Sequence, residues 1–164
     1  MPRTKRAITH LLTVVLLAAC TAAPRYGHFV SLPVTGWERK QPAVFLTDTL
    51  PPGTYEMRLT VQHSTASGYP YKELAVQVTQ ELATRADTTG KGFIHCADTV
   101  IKAVLFDDGG TPRGGGLSLR SVETAAGILT LKDSAAARIT VTHLMRPDTI
   151  TGIASLGIVI RARE

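Results

Sequence analysis

Apolar residues recur at every second position through most of this chain. Tyr55, Met57, Leu59 and Val61 alternate with Glu56, Arg58, Thr60 and Gln62, the pattern of a strand with one face in a core and the other in water. Pro51-Pro52-Gly53 precedes this run as a turn signal. Leu74, Val76 and Val78 alternate with Ala75, Gln77 and Thr79, and Ile139 and Val141 alternate with Arg138, Thr140 and Thr142. Near the C-terminus Leu156, Ile158 and Ile160 share one phase, and Gly157-Ile158-Val159-Ile160 is apolar enough to be covered on both faces. Weaker strand patterns fall at 43–47, 99–106, 116–122 and 127–131. Residues 73–84 could pass for helix, but Val76, Val78 and Thr79 fit a pleated surface better than a helical one. About eight short strands, with turn signals between them and no long helical period, predict an all-β fold. The expected form is an antiparallel β-sandwich, jelly-roll or immunoglobulin-like.

The N-terminal segment has a different pattern. Arg3, Lys5 and Arg6 form a basic start, an apolar stretch runs from Leu11 to Leu17, and Leu17-Ala18-Ala19-Cys20 closes it. These are the three parts of a secretory signal peptide, and the apolar run is well short of the ~20 residues that span a bilayer. A Cys directly after Leu-Ala-Ala reads as a bacterial lipobox, with residues 1–19 removed and Cys20 lipidated. Two or three acyl chains would hold the mature protein stably on a membrane, where one alone is marginal. Thr21, rather than an acidic residue, follows the Cys, and the next acidic residue is Glu38. The expected address is therefore the periplasmic face of the outer membrane. Residues 20–36 lack sustained periodicity and carry Pro24 and Pro33, so they read as lipidated Cys and tether, with a single sandwich domain at 37–164.

The leader also changes the charge balance. The whole chain has 18 Lys and Arg against 13 Asp and Glu, for +5. Without the leader the balance is 15 to 13, too weak to suggest a nucleic-acid partner. With Cys20 acylated, Cys96 has no intramolecular partner and reads as small buried filler.

Few residues suggest chemistry. Asp107–Gly116 is rich in Gly and reads as a mobile strand connection. It has no Lys-Ser/Thr pair for a phosphate cradle and lacks the alternating acidic positions of an EF-hand. His63 and His143 extend the core-facing rows of their strands, and two imidazoles could converge on a metal. A third ligand is unassigned, His95-Cys96 with Asp98 being a remote source, so they read as histidines at the margin of the core, with no metal and no cofactor. No G-x-S-x-G elbow or H-E-x-x-H is present, and no enzyme is expected. Tyr69-Pro70-Tyr71 presents two rings on a segment stiffened by proline. With Trp37, the only Trp, these rings are candidate contacts for a protein or glycan partner.

Taken in order, several segments resemble the gliding-motility lipoprotein GldH family. They are the lipobox Cys20, Gly36-Trp37, Gly53-Thr54-Tyr55, Tyr69-Pro70-Tyr71-Lys72-Glu73-Leu74 and the glycines of 114–116. Ile139-Thr140-Val141-Thr142-His143-Leu144-Met145-Arg146 and Gly152-Ile153-Ala154-Ser155-Leu156-Gly157-Ile158 complete the series. The resemblance implies a β-sandwich envelope lipoprotein connected with gliding motility and type IX secretion, and it brings no catalytic residues. The function expected is thus a non-enzymatic, membrane-anchored lipoprotein acting through contacts with other envelope proteins. A glycan-binding envelope module is the alternative.

Overall fold

The computed structural model describes residues 25–65, 68–83 and 92–163. The leader, Cys20 and residues 21–24 lie outside the described residues. Ten strands follow one another: β1 (Tyr26–Ser31), β2 (Trp37–Glu38), β3 (Ala43–Leu46), β4 (Gly53–Ser64), β5 (Glu73–Ala83), β6 (Phe93–Val104), β7 (Leu119–Leu131), β8 (Ala137–His143), β9 (Thr149–Ile150) and β10 (Ile153–Ala162). One sheet has the order β1-β10-β4-β7, the other β3-β8-β5-β6, and β2 pairs with β9 alone. Every pairing is antiparallel.

The topology follows one rule. β5 pairs with β6, β4 with β7, β3 with β8, β2 with β9 and β1 with β10. The chain is thus one long hairpin, folded at the β5–β6 connection and wrapped so that β10 also pairs with β4 and β8 with β5. The result is the two-sheet arrangement of a jelly roll. An immunoglobulin sandwich sets its first two strands side by side, whereas here the partner of β1 is β10.

The alternating pattern does what it predicts. Tyr55, Met57, Leu59 and Val61 of β4 meet Leu74, Val76 and Val78 of β5, Ile139 and Val141 of β8, and Leu156, Ile158 and Ile160 of β10 in one core. β10 is central in its sheet, which accounts for its apolar run. The ring of Phe29 lies over Gly157, so close that a Cβ there would meet it at 2.5 Å.

Four boundaries differ from expectation. Residues 26–31, placed in the tether by the sequence, form β1, whose pairing with β10 runs from Tyr26↔Ile160 to Ser31↔Ser155. An edge strand of six residues with His, Gly and Ser among them carries too little periodicity to announce itself. Residues 116–122 and 127–131 belong largely to the single strand β7. A register shift between Met57 and Arg58 of β4 faces Ala125–Gly127, where Ala-Ala-Gly hides the period. β6 begins at Phe93, before the expected start at 99, and has a shift of its own opposite Gln80 and Glu81. Finally, the connection 107–116 is fastened at several points. Asp107 Oδ1 accepts from the amides of Gly109 and Thr111 at 2.9 and 2.8 Å, Lys72 pairs with Asp108, and Ser121 donates to the Gly115 carbonyl at 2.9 Å.

Candidate functional site

Trp37, Tyr69, Tyr71, His63 and His143 gather at one end of the sandwich, the end away from the start of β1. Trp37 enters from Gly36, whose φ of +127° suits glycine, and pairs with Ile150. Its indole is 1 % exposed, packs edge-on to His143 at 5.0 Å between centroids, and donates from Nε1 to the Gln41 carbonyl at 2.9 Å. Tyr69 is 5 % exposed and donates from its hydroxyl to the Glu73 carbonyl at 3.0 Å. Burial pushes its hydroxyl pKa well above the ordinary tyrosine value. Beneath Tyr69 lies Gly152 (φ +84°), where a Cβ would approach the Tyr69 amide nitrogen at 2.7 Å. Tyr71 is half-buried with its ring 5.5 Å from that of Tyr69.

A sugar stacks on an open ring face, and Trp37 and Tyr69 have none to offer. Tyr71 alone of the three reaches solvent. Tyr-Pro-Tyr therefore anchors the β4–β5 connection onto the core, and Gly36-Trp37 closes the sandwich beside it.

The two histidines stand on different sheets, His63 at the end of β4 and His143 at the end of β8, and both are buried. His63 Nε2 lies 3.2 Å from the Arg113 carbonyl, so the neutral ring donates there, and its Nδ1 has no partner. Phe106 packs against its ring at 5.1 Å. Neither ring nitrogen of His143 meets a partner at hydrogen-bond geometry, although backbone groups of Asp148 and Trp37 face it and favour its protonation. Burial outweighs them, and Arg39 adds to it, so the His143 pKa is lowered. Burial lowers His63 likewise, with Arg120 contributing and the Arg113 carbonyl opposing. Among the described residues no group of three or more His, Cys, Asp or Glu is placed to hold a metal. Both rings pack against aromatic neighbours, His63 against Phe106 and His143 against Trp37.

Arg39 straps this end together. Its guanidinium donates to the carbonyls of Met145, Arg146 (3.1 Å) and Pro147 (3.2 Å) and pairs with Asp148 at 3.4 Å. Sequence reading missed it, because nothing in Glu38-Arg39-Lys40 separates a strap from ordinary surface charge.

A second cluster sits on the outer face of the β3-β8-β5-β6 sheet. Arg138 donates two hydrogen bonds to Glu81, at 2.6 and 2.8 Å, and lies over the Phe93 ring at 4.3 Å. Beside them His95 pairs with Asp98 at 3.0 Å, and Asp98 accepts from Thr79 at 2.6 Å. The hydrogen bonds from Arg138 and Thr79 lower the carboxyl pKa values of Glu81 and Asp98. Cys96, expected as buried filler, is exposed here. It falls at the register shift of β6 and lies out of phase with Ala97, Thr99, Ile101 and Ala103, which pair with the core-facing residues of β5.

No curated protein matches the chain by sequence. Among solved structures, "CBM35 from Cellvibrio japonicus Abf62" is similar at 11 % identity and a TM-score of 0.38, covering 85 % of this chain and 99 % of its own. Residues 25–160, from the start of β1 nearly to the end of β10, match the family described as GldH lipoprotein, and the chain belongs to that family.

Proposed function

We propose that this protein is a lipid-anchored component or accessory of the gliding motility and type IX secretion machinery. In this reading it is not an enzyme and acts through contacts with other envelope proteins. The observation that carries the proposal is the family match over nearly the whole described fold, joined to the lipobox at Cys20. Acyl chains on Cys20 hold the domain at the periplasmic face of the outer membrane, and residues 20–24 form the link to β1. A strand of twelve residues such as β4 is about 40 Å long. The end bearing Trp37, Tyr69 and the Arg39 strap therefore projects into the periplasm, where Tyr71 is the ring within reach of a partner.

The glycan-binding alternative loses its support, because two of the three rings that motivated it are buried. A deletion strain scored for surface spreading and for secretion tests the proposal, together with crosslinking and copurification of the tagged protein. Loss of either trait, restored by the wild-type gene, is the expected result. Normal spreading and secretion, with no crosslinked partner, would overturn it.

A further inference from the structure

We infer that the open edge of β6 is a self-association surface, on which two copies of this chain join by antiparallel strand pairing centred on Val100. Four strands lie at sheet edges, β1 and β7 in one sheet and β3 and β6 in the other. β1 and β3 are only six and four residues long. β7 is covered at Ser121, whose amide donates to the Gly115 carbonyl, and is broken by its bulge. β6 has twelve residues and a single partner strand, β5. An unpaired strand edge is a template for another strand.

The hydrogen bonds of β5 show which groups of β6 stand open. The Ala75 carbonyl accepts from the Leu144 amide at 2.8 Å, so Ala75 turns its backbone to β8. Directions alternate along an antiparallel strand. Leu74, Val76 and Val78 therefore turn to β6, and Ala103, Ile101 and Thr99 opposite them turn to β5. Asp98, Val100, Lys102 and Val104 are left with their N–H and C=O groups on the open side. Among the described residues no segment pairs with that side of 97–104. The stretch is bounded at one end by the register shift at Cys96. At the other end Arg113 donates to the Leu105 carbonyl at 2.8 Å, beside the Phe106–Pro112 bridge. Val100 stands near the middle, 63 % exposed.

Charge selects a second copy as the occupant and sets its register. With Val100 opposite Val100 of the second copy, Asp98 faces Lys102 of that copy and Lys102 faces its Asp98. One twofold axis thus makes both opposite-charge pairs. By the alternation above, these facing residues also exchange backbone hydrogen bonds. Sliding the register until Asp98 meets Asp98, or Lys102 meets Lys102, sets like charges face to face. Lys102 can serve, because its side chain is 70 % exposed and its own contact, Glu73, is 4.0 Å away. Asp98 is 45 % exposed and is oriented on this face by Thr79 and His95. Of the other charges around the edge, Glu81 pairs with Arg138 and Glu123 with Arg58. Arg113, across the cleft between β6 and β7, adds a cation on the Lys102 side, where Asp98 of the second copy arrives.

The test uses the mature chain from residue 20 with Cys20→Ser, so that no lipid is attached, in reducing buffer, so that Cys96 forms no disulfide. An interface of one strand is small and its dimer weak, so sedimentation velocity is run from about 1 μM to about 1 mM. A concentration-dependent dimer is expected. Asp98→Lys and Lys102→Asp should each weaken it about ten-fold or more, since each sets like charges opposite one another at both places. Mixed together, the two variants should form a heterodimer with the affinity of the wild-type chain, because every facing pair is then of opposite sign. Val100→Pro removes an N–H on the open side and should abolish the dimer, while circular dichroism shows the chain still folded. A wild-type chain that stays monomeric throughout would overturn the inference. So would a mixture of the two charge variants that stays monomeric, or a dimer that Val100→Pro leaves intact.

Discussion

Acid should destabilise this protein before it reaches the pH at which carboxylates titrate, and the cause is the pair of buried rings. His63 and His143 are both lowered in pKa by burial, whereas in the unfolded chain each titrates near 6.5. As pH falls through that value the unfolded chain takes up protons that the folded protein refuses, so stability drops. Each ring that stays neutral down to pH 5 costs about 2 kcal/mol over that interval, at about 1.4 kcal/mol per pH unit, and the two together at most about 4 kcal/mol. Against a typical domain stability of about 5–15 kcal/mol that is a visible loss. Glu81, Asp98 and Asp108 also have lowered pKa values, but their unfolded values lie near 4, so their contribution is lost at more acid pH. Urea unfolding of the Cys20→Ser chain at pH 7.5 and pH 5.0 measures the effect. The same pair of measurements on a His63→Gln, His143→Gln variant isolates it, since His95 and the carboxylates are common to both proteins. The wild-type chain should lose stability between the two pH values, and the double variant should lose little. A pH-independent wild type, or an equal loss in the double variant, would refute the reasoning.

Other consequences are simpler to score. Trp37→Ala removes a fully buried indole and uncovers His143, and thermal or urea melts should show a loss of about 3–5 kcal/mol. Gly152→Ala places a Cβ against the Tyr69 backbone at a positive φ. The variant should lose at least about 1–2 kcal/mol, and Tyr69→Phe, which keeps the ring, should not relieve it. Cys96 should react with a thiol reagent in the native Cys20→Ser protein as fast as in urea, because it is exposed. A strongly protected thiol would contradict the placement of β6. Arg138→Ala should cost less than about 1 kcal/mol in melts despite its paired hydrogen bonds, because the guanidinium is partly open to water.

How legible the molecule is in its sequence varies element by element. β4, β5, β8 and β10 are written plainly, since one side of each sheet faces a core and a period of two is the direct imprint of that burial. β7 is split by a bulge, and β1 is an edge strand with one neighbour, so neither has an unbroken period to read. The candidate rings show a second limit. Tyr69-Pro70-Tyr71 looks like a display of aromatics until Gly152, more than eighty residues away, is found beneath it. Whether an aromatic side chain faces solvent or core outside a periodic strand depends on what the rest of the chain brings to it. Cys96 fails for a related reason: its apolar neighbours suggest burial, but it is out of phase with Ala97, Ile101 and Ala103, the residues of β6 that turn toward the core.

By itself the chain determines the all-β class and most of the core, because each is encoded in residues close together in sequence. The pairing of first strand with last, and the burial of Trp37 and Tyr69 at the end away from the start of β1, were decided only in three dimensions. A strand's neighbours are set by long-range closure of the hairpin, and no local pattern of apolar and polar residues records which distant segment will lie beside it.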